Sequence, residues 1–174
     1  LSDGKAVLYQ NQSTNRHSLT NNHVFDIFRD KSNALWVGCY EGLNKYDRAI
    51  NSFIAFAHDP ASPNRSLGHN NVRGISTSSD GTVWVATRGG GVTRFSTDSS
   101  ITVFRHKKNQ PNSLPTNQVE AVLVDAEDVV WLGTQIGLCR FNTNTEEFQL
   151  YQTPKKTPFW ADNNHVHEIR EDSR

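Results

Sequence analysis

The stretch Asp80 to Thr87, "DGTVWVAT", decides the fold, because it occurs twice more in altered form. "NALWVGC" runs from Asn33 to Cys39 and "DVVWLGT" from Asp128 to Thr134. Each reads as a polar turn, an apolar residue, a tryptophan, a second apolar residue, a small residue, and then Cys or Thr. Trp36, Trp84 and Trp131 lie 48 and 47 residues apart. So even a spacing of the rarest large side chain marks an internal repeat.

The repeat extends outward on both sides. Seventeen residues before each tryptophan stands a leucine: Leu19, Leu67 and Leu114. Each opens a shared pattern, "SLTNNHVFDIFRD", "SLGHNNVRGISTS" and "SLPTNQVEAVLVD". Common to the three are Ser-Leu, an asparagine (Asn22, Asn70, Asn117), a valine (Val24, Val72, Val119) and Ile27, Ile75 or Val122. After each tryptophan comes "GLNKYD", "GVTRFS" or "GLCRFN", then "SFIAF", "SITVF" or "EFQLY". The second copy carries one extra glycine in "RGGG" (Gly89 to Gly91), which accounts for the longer spacing.

These segments are short, rich in β-branched and aromatic residues, and bounded by Gly, Asn, Asp, Ser or Pro, the pattern of strands. No window shows sustained helical periodicity. The tryptophan segment is more continuously apolar than the rest, as befits a strand buried on both faces. Four strands in about 40–50 residues is the arithmetic of a β-propeller blade. The fold class is therefore all-β, with blades at about 19–57, 67–105 and 114–152. Strand A is the Asn-x-Val-x-x-Ile run nearest the axis, B carries the tryptophan, C follows the glycine, and D is outermost. The tryptophans should be buried between neighbouring blades.

The ends extend the pattern. "GKAVLY" predicts a lone D strand over 4–10, with Tyr9 matching Phe56, Phe104 and Tyr151. "NNHVHEIRED" predicts the A strand of a further blade over 164–171, since Val166 stands 47 residues after Val119. Propellers close with about 4–8 blades, so the chain amounts to about half of a seven-bladed ring. It contains no methionine at all and is expected to be an internal segment of a longer protein.

Composition narrows the partners. The 174 residues carry 18 basic and 18 acidic side chains. That balance gives no electrostatic reason to expect nucleic acid or an anionic membrane. No apolar run approaches the ~18 residues that span a bilayer, so a membrane enters only through a longer parent. Cys39 and Cys139 fall on different strands of different repeats and are read as small buried residues, not a disulfide.

The three tandem copies resemble the two-component regulator propeller repeat: Ser-Leu-x-x-Asn-x-Val-x-x-Ile, a turn, Leu-Trp-Val/Leu-Gly-Thr, then Gly-Leu-x-x-aromatic. "HDPASPNRSL" and "HKKNQPNSLPTNQV" resemble the linkers between its blades. The resemblance runs from about Gly4 to Asp172; Cys39 for Thr, Val92 for Leu, and the lack of an Asp-Gly turn in the first and third copies depart from it. It implies a periplasmic sensor segment of a bacterial membrane receptor, with a histidine kinase or diguanylate cyclase as output elsewhere in the parent. The implied signal is a small molecule or oligosaccharide. The other readings are a periplasmic propeller enzyme acting on polysaccharide, a lyase or glycosidase, and a purely structural interaction module.

Candidate chemistry is sparse. "TSSDGTVW" is one residue short of the sialidase Asp box and reads better as a hairpin turn. Glu41, Asp26 and Glu120 could supply carboxylates, but nothing places two at a working separation. His23, His69 and His165 recur near strand A, but His69 is out of register and Gln118 replaces the third, against a metal ring. "RGGG" opens no helix and is no phosphate loop. No catalytic residue, cofactor or metal is expected. A ligand would meet the face carrying the D–A and B–C loops. Asn22, Asn70 and Asn117 repeat and should serve the fold. Tyr40, Glu41, Arg88 and Gln135 differ between blades and are the candidate ligand residues. The open terminal blades should drive self-association.

Overall fold

The computed structural model describes residues 6–153 and 164–172. Among them are three four-stranded antiparallel sheets, each in simple chain order. The first holds β1 (Val24–Arg29), β2 (Leu35–Cys39), β3 (Gly42–Asp47) and β4 (Ser52–Phe56). The second holds β5 (Val72–Thr77), β6 (Val83–Thr87), β7 (Gly91–Phe95) and β8 (Ile101–Phe104). The third holds β9 (Val119–Val124), β10 (Val130–Thr134), β11 (Gly137–Asn142) and β12 (Glu147–Tyr151). The expected blades are these sheets, and none of the described residues is helical.

The sheets stack face to face, and side-chain alternation along the tryptophan strands sorts the two faces. Trp36 clusters with Val72, Ile75, Val83 and Val85 of the second sheet and with Leu67 of the linker before it. Trp84 clusters with Val119, Val130, Leu132 and Phe141 of the third. On the opposite face Val37, Cys39 and Phe53 gather with Leu19. A β strand between two stacked sheets must be apolar on both sides, which is why β6 is buried throughout. The small residue two places after each tryptophan has a definite cause. A Cβ on Gly38 would meet Val72 Cγ1 at 2.7 Å, so the valine of the next sheet needs that space. Each fully buried Leu, Val or Phe contributes about 1.5–3 kcal/mol through lost apolar hydration.

The loops repeat as faithfully as the strands. The A–B turns place Asn33, Gly81 and Asp128 at φ 66°, 91° and 61°. Asn and Asp tolerate that left-handed region, so the first and third copies make the turn without Asp-Gly. Asn22, Asn70 and Asn117 each accept a backbone N–H from the incoming linker: Asn11 N at 2.7 Å, His58 N at 2.6 Å and His106 N at 2.7 Å. Asn164 accepts the N–H of Thr153 at 2.7 Å, a fourth instance. Leu19, Leu67 and Leu114 are buried beneath these linkers. The repeated asparagines tie each incoming linker to its blade, over a buried leucine.

Three expectations need correction. Residues 6–10 form no strand, and Gly4 and Lys5 lie outside the described residues. A D strand is held by a C strand, and none pairs with residues 6–10 among the described residues. Tyr9 nonetheless sits where its counterparts sit, edge-on to Tyr46 and Phe53 at 5.9 and 5.3 Å between centroids. Likewise, residues 164–171 form no strand, and no strand pairs with them among the described residues. The segment still occupies the place of an inner strand: Val166 N donates to Thr134 O at 2.9 Å, and its carbonyl lies over Gly133. Finally, Trp36 and Trp84 are 5% and 2% exposed, but Trp131 is only half-buried. Among the described residues no further sheet packs on it.

Candidate functional site

The first strands of the three sheets lie side by side and line a concave surface. Ile75 N donates to Asp26 Oδ2 at 2.7 Å, and Val124 N to Ser76 Oγ at 2.9 Å, tying β1 to β5 and β5 to β9. Each of these strands has a register break one residue after its repeated valine. The extra residue is Phe25, Arg73 or Glu120. A bulge of this kind re-aims one side chain out of the regular alternation. The same register in the last described segment falls on His167. All four line one hollow of about 470 Å³, together with Asp26 and Glu168.

Charges converge there. Arg88, from the turn between β6 and β7, makes a two-pronged pair with Glu120: Nε to Oε1 and Nη2 to Oε2, both 2.8 Å. The Glu120 side chain is 4% exposed. Burial alone would raise its carboxyl. The hydrogen bonds and charge of Arg88, helped by Arg73 and His165, outweigh burial and hold it below the ordinary value. Arg73 Nε stands 3.8 Å from Glu120 Oε2, and the Arg73 guanidinium lies 3.9 Å above the Phe25 ring. Burial, then the Arg88 charge, lowers the Arg73 pKa against the opposing pull of Glu120 and Tyr40. His165 Nε2 approaches Glu120 Oε1 at 3.7 Å, and its ring lies 3.6 Å from that of His167 between centroids. Asp26 titrates above the ordinary carboxylate range, chiefly through burial, despite the Ile75 N–H it accepts.

The candidate ligand residues divide. Tyr40, Glu41 and Gln135 are exposed on the B–C turns. Glu41 accepts from Asn21 Nδ2 at 3.1 Å, and the Gln135 backbone N–H donates to Gln118 O at 3.3 Å. Arg88 is turned inward and committed to Glu120. The carboxylates considered for glycoside chemistry are each occupied separately: Glu41 by Asn21, Asp26 by Ile75, Glu120 by Arg88. His69 accepts the Asn71 N–H at 3.1 Å within its own turn. The Asp80–Gly81 pair makes a turn, with Asp80 Oδ1 accepting the Thr82 N–H at 2.8 Å. Cys39 and Cys139 are buried thiols in separate sheets, and burial pushes the Cys139 pKa up to about 12.

Sequence reasoning named Glu120 only as a carboxylate and missed that Phe25, Arg73 and Glu120 form one bulge set. The available signal was contrast. In Val-x-x-Ile, the first x is aromatic, cationic and anionic in turn, while the valine before it and the aliphatic residue two places after it repeat.

Comparison with known proteins agrees with this architecture. The family described as "Two component regulator propeller" matches residues 18–41 and 66–89. "Histidine kinase P4" of Formosa agariphila is 31% identical over 107 residues, which are 60% of this chain and 8% of that protein. Among solved structures, an extracellular domain described as that of a hybrid two component system, BT3049, from B. thetaiotaomicron superposes with a TM-score of 0.71 at 27% identity. That match covers 83% of this chain and 20% of the other. Virginiamycin B lyase from Staphylococcus aureus shares the fold alone, with a TM-score of 0.55 at 12% identity, covering 76% of this chain and 42% of the lyase. The chain thus spans a small part of the two-component proteins it matches.

Proposed function

We propose that this chain, which carries two-component regulator propeller repeats, is a segment of the extracytoplasmic sensor of a membrane signalling receptor, and that the concave face of its inner strands takes part in recognising the signal. One observation carries the reading: within otherwise repeating blades, the bulged position is Phe25, Arg73 and Glu120 in succession, aimed into one hollow. Residues that serve the fold recur in every blade, as the linker asparagines do. Residues that serve recognition have no reason to recur. Pockets for small ligands combine an apolar wall with a few convergent polar groups, and this hollow has both.

In this reading the segment is not an enzyme. It supplies binding, and the parent receptor supplies output through a kinase or cyclase. The extracytoplasmic location rests on likeness to the extracellular domain of the BT3049 hybrid two component system.

The test is binding by the chain of a panel of small molecules and oligosaccharides, read by thermal shift and confirmed by calorimetry. We expect at least one compound to bind and to lose affinity in Phe25→Ala and Glu120→Gln, with no turnover of the bound compound. Binding untouched by both substitutions would move recognition off the concave face. Steady product formation would replace the sensor reading with an enzymatic one.

A further inference from the structure

Arg73 stands apart from the other arginine of the hollow. Arg88 has its two-pronged acceptor in Glu120. Arg73 has none: its Nε is buried and makes no hydrogen bond among the described residues, and Glu120 lies 3.8 Å away, beyond hydrogen-bond reach. A guanidinium carries five donors in a planar fork matched to oxyanions. Buried donors are nearly always paired, so a buried one without an acceptor calls for an explanation. Here the fork is held still by its stacking on Phe25 and opens on the hollow.

The neighbouring anions do not satisfy it. Glu120 gives both carboxylate oxygens to the Arg88 fork, has His165 at its edge, and meets Arg73 only as a long ion pair at 3.8 Å. Asp26 accepts the Ile75 N–H, and burial shifts it toward its neutral form. Glu168 pairs with Arg170 at 2.7 Å. His167, Tyr40 and Arg88 are the other titratable groups around the site, and none offers Arg73 a fixed carboxylate.

We propose that Arg73 receives the carboxylate or sulfate group of a small ligand in the concave hollow, while the Arg88–Glu120 pair keeps Glu120 from taking that place. This rests on the recognition reading above and adds the charge of the ligand. Glu120 then serves as a positioning residue: Arg88 draws its carboxylate toward the turn and leaves the Arg73 fork free.

Calorimetric titration with sodium glucuronate, glucose 6-sulfate and glucose, at fixed ionic strength, tests this. At least one of the two anions should bind, and glucose should not. Arg73→Ala should weaken that binding about ten- to hundredfold, the worth of a charge-assisted hydrogen bond. Arg73→Lys, a point charge without the fork, should recover only part of it. Arg73→Gln keeps the stem over Phe25 and serves if the truncation unfolds, which the near-ultraviolet tryptophan signal reports. Which anion binds tells carboxylate from sulfate. Silence with both anions, or equal binding in Arg73→Ala, overturns the proposal. So does binding of glucose that matches the anions. If that glucose binding is lost in Phe25→Ala, the recognition reading survives without the charge; if no compound responds to Phe25→Ala or Glu120→Gln, that reading falls as well.

Discussion

Each tryptophan of the repeat has a partner in the turn before it. Trp36 Nε1 donates to Asp30 Oδ2 at 2.8 Å, Trp84 Nε1 to Ser78 Oγ at 3.0 Å, and Trp131 Nε1 to Asp125 Oδ2 at 2.9 Å. A cation lies over each ring in turn: Lys45, Arg94 and Arg140, at 5.0, 5.8 and 6.0 Å. The indole is thus apolar wedge and donor at once. Trp84→Ala should destabilise by about 3–5 kcal/mol in urea unfolding, and Trp131→Ala by clearly less, because its outer face is already wet. Ser78→Ala should cost about 1–3 kcal/mol if the indole donor is left unpaired. Burial raises the carboxyls of Asp30 and Asp125, but their hydrogen bonds outweigh it and the net shift is downward. A depressed folded pKa contributes stability above the unfolded value and loses it as pH falls through the folded one. Acid titration of the melting temperature should show that loss below about pH 4, reduced in an Asp30→Asn, Asp125→Asn double variant. Asp26 has the opposite sign. Asp26→Asn should stabilise the chain at neutral pH, and the gain should fade on acidification. The tryptophans were plain in the sequence, but their acceptors were not. An Asp or Ser before a strand looks like any turn residue until the indole is seen to reach it.

At the scale of elements, the second sheet departs from its neighbours at one place. The turns after β2 and β10 hold Tyr40-Glu41 and Gln135-Ile136, whereas the turn after β6 holds Arg88-Gly89-Gly90. The added residue is not slack. A Cβ on Gly90 would lie 2.3 Å from the Gly68 carbonyl carbon. The N–H groups of Gly89 and Gly91 both donate to Asn117 O, at 2.9 and 3.1 Å. The longer turn therefore grips the next linker and carries Arg88 to Glu120. Gly90→Ala should cost about 1–3 kcal/mol through overpacking, as read from the urea midpoint. It should also weaken the Arg88–Glu120 pair, which would appear as an upward shift of the Glu120 carboxyl in carbon-detected titration. Strand order and type were legible because a B strand between two sheets must be apolar on both faces. The terminal elements were not. "GKAVLY" and "NNHVHEIRED" carry the right side chains, and Tyr9 and Val166 do take the right places. A strand also needs a hydrogen-bonded neighbour, which no pattern within the segment supplies.

Exposure across the whole molecule is graded by position in the stack. Ile27, Ile75 and Val122 are equivalent residues, yet Ile27 is 64% exposed while the others are 4% and 8%. The difference is the sheet in front: Ile75 and Val122 have one, and Ile27 has none among the described residues. Val24 and Phe25 are exposed beside it, and at the far end Trp131 is only half-buried. The number of sheets could be counted in the sequence. The unequal fate of identical residues could not, because it depends on what stands next to each blade. The two end faces are complementary: one offers the surface that receives a tryptophan wedge, the other the wedge. Exposed apolar faces of this kind mark interfaces, and a head-to-tail contact between unlike faces repeats from copy to copy. This 174-residue chain, purified by itself, should therefore self-associate in sedimentation velocity, with the weight-average coefficient rising with concentration. Ile27→Asp should suppress that rise, since it places a charge where the wedge docks, and should leave stability nearly unchanged because the site is already open to water. Tyr40→Asp, on the loop face, should leave the association intact. A monomer that persists at high concentration, or association lost equally in both variants, would mean that the end faces tolerate water and that wedge-to-face complementarity is not what brings copies together.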